Sequence, residues 1–170
     1  MRDVSVVTTR DLTVQFGPQR ALDGLDVDVP SGVTGLVGAN GAGKTTLLSI
    51  LLGLRPATAG TFEVLGLDPV RQGTVLRARV GYAPERNLLP EDMPAVDFVR
   101  HLAEVRGLPR SEARSRASDS LWLVGLGEER FRALGTMSTG QRQRVKLAQA
   151  IAADPRLILL DEPTDGLDPV

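Results

Sequence analysis

A glycine-rich segment, Gly38-Ala39-Asn40-Gly41-Ala42-Gly43-Lys44-Thr45, carries the pattern G-x-x-x-x-G-K-[ST]. Glycines let main-chain N–H groups converge on phosphate oxygens, and a helix that follows adds the positive end of its dipole. Lys44 would reach the β- and γ-phosphates of a nucleotide, and the Thr45 hydroxyl would bind Mg²⁺. The predicted phosphate-binding residues are Gly38, Asn40, Gly41, Ala42, Gly43, Lys44, Thr45 and Thr46. The alternative is a glycine-rich turn with an exposed lysine.

Lysine is rare in this chain, because Lys44 and Lys146 are the only lysines among 20 basic residues. A lysine in a chain that otherwise uses arginine therefore indicates a chemical requirement for lysine. At Lys44 the requirement is a single point contact inside the loop, for which the guanidinium of arginine is too bulky and planar.

An apolar run at residues 157–160 ends in Asp161-Glu162. We interpret it as a buried strand that delivers two carboxylates to the carboxyl edge of a sheet, where doubly wound folds bind ligands. Asp161 is expected to help hold Mg²⁺, and Glu162 to face the attacking water as general base or water-positioning group. Taken alone, such a strand ending is more often structural than functional.

Hydrophobic patterning predicts the elements that must position these residues. Strands are expected at residues 4–16, 25–29, 33–37, 61–65, 79–83 and 157–160, with Gly17-Pro18 as the turn between the first two. Helices are expected at residues 45–54, 94–105, 111–124 and 139–153. The last helix has Ser138 as its cap and Gln141 three residues on, the arrangement of a capping box.

This alternation indicates an α/β fold with an antiparallel β edge. The two helices between residues 94 and 124 interrupt the alternation of strands and helices, so we interpret residues 85–133 as an inserted α-helical subdomain. The nucleotide-binding core would then comprise residues 1–84 and 134–170 of a single domain, 1–170.

Composition excludes several classes of protein. A hydrophobic content of 42% and a net charge of -1 are those of an ordinary soluble globular protein. A nearly neutral chain has no broad positive field that would attract nucleic acid or anionic lipid. No nucleic-acid partner is therefore expected. Cysteine is absent, which is compatible with a reducing compartment such as the cytosol. No apolar run approaches the roughly 20 residues that span a bilayer.

Together these motifs resemble the ATP-binding-cassette family, and the likeness covers the whole chain. Met137-Ser138-Thr139-Gly140-Gln141 is similar to the family's signature motif, usually Leu-Ser-Gly-Gly-Gln, and ends 20 residues before Asp161. The resemblance implies a P-loop NTPase core with ATP and Mg²⁺ as cofactors. It also implies an ATP-bound dimer in which Ser138, Gly140 and Gln141 meet the nucleotide held by a second copy. The plain alternative for this motif is a helix cap.

The resemblance assigns roles to three further residues. Phe16 falls where the family places an aromatic that stacks on adenine, although a strand residue in a small core is equally compatible. Glu85, in Tyr82-Ala83-Pro84-Glu85, takes the place of the glutamine that senses the γ-phosphate, approaches Mg²⁺ and contacts the membrane partner. A glutamate departs from that pattern, because it adds a negative charge beside an anionic ligand. Asp168 resembles the residue that organises the dimer contact.

The function implied by the resemblance is ATP hydrolysis, with Lys44, Glu85 and Glu162 in catalytic roles, coupled to transport through a separate transmembrane permease subunit. The subunit would be cytoplasmic, at the inner face of the cell membrane. Glu85 and Thr139 are similar to the subgroup that drives drug, lipid or polysaccharide exporters, so export is favoured. Two alternatives stay open: a nucleotide-binding or dimerisation module without catalysis, and a non-transport member of the family.

The family's switch histidine would follow Asp168, and the chain stops at Val170. We therefore expect a sequence truncated at its C-terminus. His101, the single histidine, lies off the apolar stripe of its helix and is expected at the surface.

Overall fold

The computed structural model describes residues 5–39, 41–85 and 89–164, which form two compact units, one up to Ala78 and one from Arg79. The strands are β1 (Val7–Phe16), β2 (Gln19–Val29), β3 (Ala59–Val64), β4 (Val80–Ala83) and β5 (Leu157–Leu160). The helices are α1 (Lys44–Leu51), α2 (Gly73–Arg79), α3 (Ala95–Val105), α4 (Arg110–Leu123) and α5 (Thr139–Ile151). None of these helices combines the length and the apolar character that crossing a bilayer requires.

The first unit is built on an antiparallel sheet with strand order β2-β1-β3. A turn at Gly17 joins β1 to β2, as the sequence predicts. Leu12 and Val14 of β1 pack with Ile50 of α1 in one core. Because this core ties α1 to the hairpin, it also fixes where the N-terminus of α1 lies in the unit.

The second unit joins a parallel pair of strands to three helices. Strands β4 and β5 run in register from Val80 opposite Leu157 to Ala83 opposite Leu160. Helices α3, α4 and α5 share one apolar core, whose buried members are Ala95, Val99, Ala117, Leu121, Leu126, Leu134, Met137, Val145, Ala148 and Ala152. His101 on α3 is exposed, as expected.

The prediction of a strand at residues 33–37 is wrong. In the part of the chain that the structure describes, this segment belongs to neither sheet, and Val33 and Val37 are almost fully exposed. Strand propensity is satisfied only when a neighbouring strand supplies the hydrogen-bond ladder, and the described strands pair with one another instead. Helix α2, in contrast, was not predicted; its short sequence has a weak pattern, with Gly73 and Leu76 as its buried residues.

The strand β5 forms as predicted, but it is not fully buried. Leu159 is buried, whereas Ile158 and Leu160 are 40% and 36% exposed. Successive side chains of a strand point to opposite faces, and α5 packs against this strand. The difference in burial along β5 therefore reflects a sheet that is covered on one face within the described unit.

Candidate functional site

The glycine-rich segment forms a loop that leads into α1, as predicted. Gly43 is the N-cap residue of α1, with φ 89° and ψ 5°, in the left-handed region that favours glycine. A Cβ at this position would lie 2.4 Å from the carbonyl oxygen of Ala21 in β2. Gly43 is thus required twice, by its backbone conformation and by the close approach of the hairpin.

Lys44 and Thr45 occupy the first turn of α1. The Nζ atom of Lys44 donates a hydrogen bond of 2.8 Å to the carbonyl oxygen of Gly38, so its side chain reaches back over the length of the loop. The first N–H groups of any α-helix lack an intrahelical acceptor, and in α1 these include the N–H groups of Thr45 and Thr46. The arrangement is that of an anion-binding helix terminus with an ammonium beside it.

Phe16 lies at the end of β1 and is 44% exposed. The guanidinium of Arg55 lies over its ring, 5.6 Å from the centroid. The ring is therefore a surface aromatic at the hairpin turn and not a core residue. Its stacking on adenine stays a prediction.

In the second unit, the carboxyl ends of β4 and β5 bring the predicted acidic residues to one edge. The main-chain N–H of Asp161 donates to the carbonyl oxygen of Ala83 at 3.0 Å, which extends the β4–β5 ladder by one step. Glu85 follows β4 by two residues and Glu162 follows Asp161, so all three carboxylates belong to the same edge of the sheet.

Asp161 is the buried member of this group, with 3% exposure. Within the described residues, its Oδ2 atom is buried without a hydrogen-bond partner. A carboxylate oxygen left in this state is costly unless it meets a cation or a donor, and Mg²⁺ prefers such oxygen ligands. Asp161 therefore fits the role of a magnesium ligand.

Glu162 has φ 48°, in the left-handed region. A residue with a Cβ atom adopts this conformation at a cost in free energy, and such residues cluster at functional sites. The side chain of Glu162 is half-buried, and that of Glu85 is exposed. Both carboxylates are thus reachable from solvent, whereas Asp161 is not.

The signature segment begins α5 with the predicted capping box. The Gln141 N–H donates to Ser138 Oγ at 3.2 Å, and the Ser138 N–H donates to Gln141 Oε1 at 3.1 Å. Arg142 donates to the carbonyl oxygens of Met137 and Gly135, at 3.2 and 3.0 Å, and so holds the turn before the cap. Ser138 is exposed, so its hydroxyl is accessible to a ligand as well as to the helix.

Tyr82, the single tyrosine, lies in β4 close to the carboxylate edge. Burial raises the pKa of its phenol, and the negative charges of Asp161 and Glu85 raise the pKa further. The phenol therefore stays protonated at neutral pH and reports on the charges at this edge.

Three side chains that the sequence did not single out for this edge extend from α5 toward it: Gln143, Lys146 and Gln149. Each donates a hydrogen bond to a main-chain carbonyl of the β4 or β5 segments. Their regular spacing of three residues on a helix, with one of the two lysines in the middle, is the sequence signal that could have found them. Asn40 and Asp168 lie outside the described residues.

Comparison with known proteins identifies the family. The family model described as "ABC transporter" matches residues 22–165, which include the phosphate loop, the signature segment and the acidic edge. The chain belongs to the ABC transporter family. The resemblance inferred from the motifs is confirmed, and so is the α/β fold of a P-loop NTPase.

Curated members of this family with similar sequences are named for drug resistance and antibiotic transport. The daunorubicin/doxorubicin resistance ATP-binding protein DrrA of Streptomyces peucetius is 36% identical over 164 residues, covering 96% of this chain and 50% of that protein. The bacitracin transport ATP-binding protein BcrA of Bacillus licheniformis is 34% identical over 167 residues, covering 98% and 54%. The chain thus spans about half the length of the curated relatives it matches.

Solved ABC structures share the fold. A dimeric ATP-binding cassette in a post-hydrolysis state, bound to ADP and Pi, matches with a TM-score of 0.80 and 26% identity, over 95% of this chain and 76% of that one. The cbiO1 protein of Clostridium perfringens, part of the ABC transporter complex cbiONQ, matches with a TM-score of 0.84 and 25% identity, over 96% and 68%.

Proposed function

We propose that this chain binds and hydrolyses ATP and powers transport, in the direction of export, through a separate membrane-spanning partner. The observation that carries the proposal is the phosphate loop in a chain of the ABC transporter family: Gly43 begins α1 in the left-handed conformation and Lys44 reaches back to Gly38. A loop of this construction binds the polyphosphate tail of a nucleotide by main-chain N–H groups and one ammonium.

The role that we propose for each side chain follows from its chemistry. Lys44 and the loop N–H groups bind and orient the phosphates, while the Thr45 hydroxyl and the Asp161 carboxylate would hold Mg²⁺. The bound ion supplies positive charge that neutralises the phosphates. Glu162 orients the attacking water and accepts its proton. Glu85 lies at the same edge and would sense the γ-phosphate and the membrane partner.

Two kinds of partner complete the proposal. Ser138, Gly140 and Gln141 at the start of α5 would meet ATP held by a second copy of the chain, and the dimeric ADP-bound cassette of the same fold supports this arrangement. The names of DrrA and BcrA, and of the Nod factor export ATP-binding protein I of Azorhizobium caulinodans, which is 38% identical over 148 residues, support export. Association with a permease would hold the subunit at the inner face of the membrane.

Substitution of the proposed base tests the enzymatic part. We expect Glu162→Gln to lower kcat by about 10²–10⁴-fold, the usual contribution of a general base. Binding of a fluorescent ATP analogue should persist, because the amide keeps the shape of the side chain. Lys44→Ala serves as the comparison and should abolish the binding itself. Undiminished phosphate release by Glu162→Gln would refute the assigned base.

Steady-state phosphate release by the unsubstituted chain separates this proposal from the main alternative. A binding or dimerisation module would bind the analogue saturably and release no phosphate. An ATP-hydrolysing subunit would do both, and only its turnover would depend on Glu162.

A further inference from the structure

Helix α5 presents three hydrogen-bond donors at intervals of three residues. Gln143 Nε2 donates to the carbonyl oxygen of Glu162 at 2.9 Å, and Lys146 Nζ donates to the carbonyl oxygen of Glu85 at 2.8 Å. Gln149 Nε2 donates to the carbonyl oxygen of Tyr82 at 2.7 Å. The first two acceptors belong to residues with proposed catalytic roles, and the third lies inside the strand β4.

The contact made by Gln143 acts on Glu162, one of four described non-glycine residues with a left-handed φ. Glu162 holds φ 48°, and such a conformation persists only where the surroundings enforce it. Gln143 is itself buried, and its amide binds the carbonyl group of Glu162. This bond fixes the peptide plane that follows Glu162, and with it the direction in which the carboxylate leaves the chain.

Lys146, the second lysine of the chain, makes a contact that explains why a lysine is present at this position. Lys146 is only 3% exposed, and a buried ammonium is costly unless its donors are satisfied. Its Nζ atom binds the carbonyl oxygen of the last described residue after β4, Glu85. Lys146, Gln143 and Asp161 also line one cleft of about 90 Å³ between α5 and the ends of the strands.

We propose that Gln143 and Lys146 are positioning residues for ATP hydrolysis, which hold the main chain of Glu162 and Glu85 and so set the directions of both carboxylates. The inference rests on the proposed function. Helix α5 would then contribute in two places. Ser138, at its N-terminus, would bind nucleotide, and Gln143 and Lys146, further along the helix, hold the main chain at the carboxylate edge.

The test removes one amide from the face of α5 at a time, in the full chain. Gln143→Met keeps the length of the side chain and removes the donor to Glu162. Gln149→Met is the matched control, because it removes the same kind of bond from the same helix but to a strand residue. We expect Gln143→Met to lower kcat by about tenfold or more, since small misplacements of reacting groups cost this much. The Kd for the ATP analogue should stay the same.

The control removes one amide-to-carbonyl hydrogen bond, as Gln143→Met does, so we expect a comparable loss of thermal stability, while its kcat should stay unchanged. Equal kcat values for Gln143→Met and Gln149→Met, with Glu162→Gln inactive, would overturn the inference and leave the proposed function standing. If the unsubstituted chain releases no phosphate, or Glu162→Gln is fully active, the proposed function fails and the inference with it.

Lys146 is tested by rescue. Lys146→Met keeps the aliphatic stem and removes the ammonium, so we expect kcat to fall while analogue binding is retained. Lys146→Arg restores a donor and should recover part of the lost kcat. If Lys146→Met is as active as the unsubstituted chain, or if the arginine variant is folded but no better than the methionine variant, Lys146 is not a positioning residue.

Discussion

Ser138 caps α5, and we propose that it also binds nucleotide; two substitutions separate these roles. In Ser138→Ala the Gln141 N–H loses its acceptor at 3.2 Å. The cap is exposed, so water replaces the hydroxyl, and the expected loss is about 1 kcal/mol in the free energy of unfolding. That loss is about fivefold in the folding equilibrium constant.

Ser138→Asp has the opposite effect on the helix. Aspartate caps as well as serine, and its negative charge next to the positive end of α5 adds about 0.3–1 kcal/mol of stability. The same charge repels a phosphate placed at this helix terminus. We therefore expect Ser138→Asp to unfold no earlier than the unsubstituted chain and yet to lose ATP-dependent dimerisation and hydrolysis.

Urea unfolding, followed by circular dichroism and by the fluorescence of Trp122, the single tryptophan, measures the first effect. Trp122 lies on α4, which packs against α5, so it reports on the unit that contains the cap. Phosphate release and size-exclusion chromatography with ATP measure the second effect. A stable Ser138→Asp variant with full activity would refute the proposed contact between Ser138 and nucleotide. An unchanged free energy of unfolding in Ser138→Ala would show that the Ser138 cap does not stabilise α5.

Three further substitutions, one of them a control, test the loop and the edge. Gly43→Ala should weaken binding of the ATP analogue and cost about 1–2 kcal/mol for its left-handed φ, plus the overlap of the new Cβ with the carbonyl oxygen of Ala21. Gly17→Ala, which has φ 56° and open space, should cost the backbone term alone. Absorbance titration of Tyr82 should give a pKa above 10.0, because burial and then the nearby carboxylates raise it, and Glu85→Gln should lower that pKa. Because folding raises this pKa, the contribution of Tyr82 to the free energy of unfolding is fully present below pH ~10, the pKa in the unfolded chain. That contribution is lost as the pH rises through the pKa of the folded chain. A native-state pKa at the ordinary value would contradict the placement of Tyr82 near Asp161 and Glu85.

Features that depend on neighbours in the chain were predictable. The capping box at Ser138 and Gln141, the turn at Gly17 and the phosphate loop before α1 all follow from residue types at short spacings. In each case the interacting groups are only a few residues apart, so local stereochemistry settles the structure. Helices α3 and α4 were predictable from the spacing of apolar residues along each of them.

Features that depend on a distant partner were not. The apolar segment at residues 33–37 has the composition of a strand, but composition does not supply a second strand to pair with. The partial exposure of β5 has the same origin, because the burial of its two faces depends on what packs against each of them.

What the sequence determined by itself is the chemistry available: a glycine-rich anion loop with Lys44, an acidic pair at Asp161-Glu162, and a capped helix between them in sequence. Tertiary structure decided how the acidic edge is held. The register of β4 with β5 brings Glu85 to the edge of Asp161. The bonds from α5 join residues 19, 61 and 67 positions apart. A hydrogen bond between such distant residues exists only after the helix has packed on the strands, so the spacing of the donors along α5 could indicate the donors but not their acceptors.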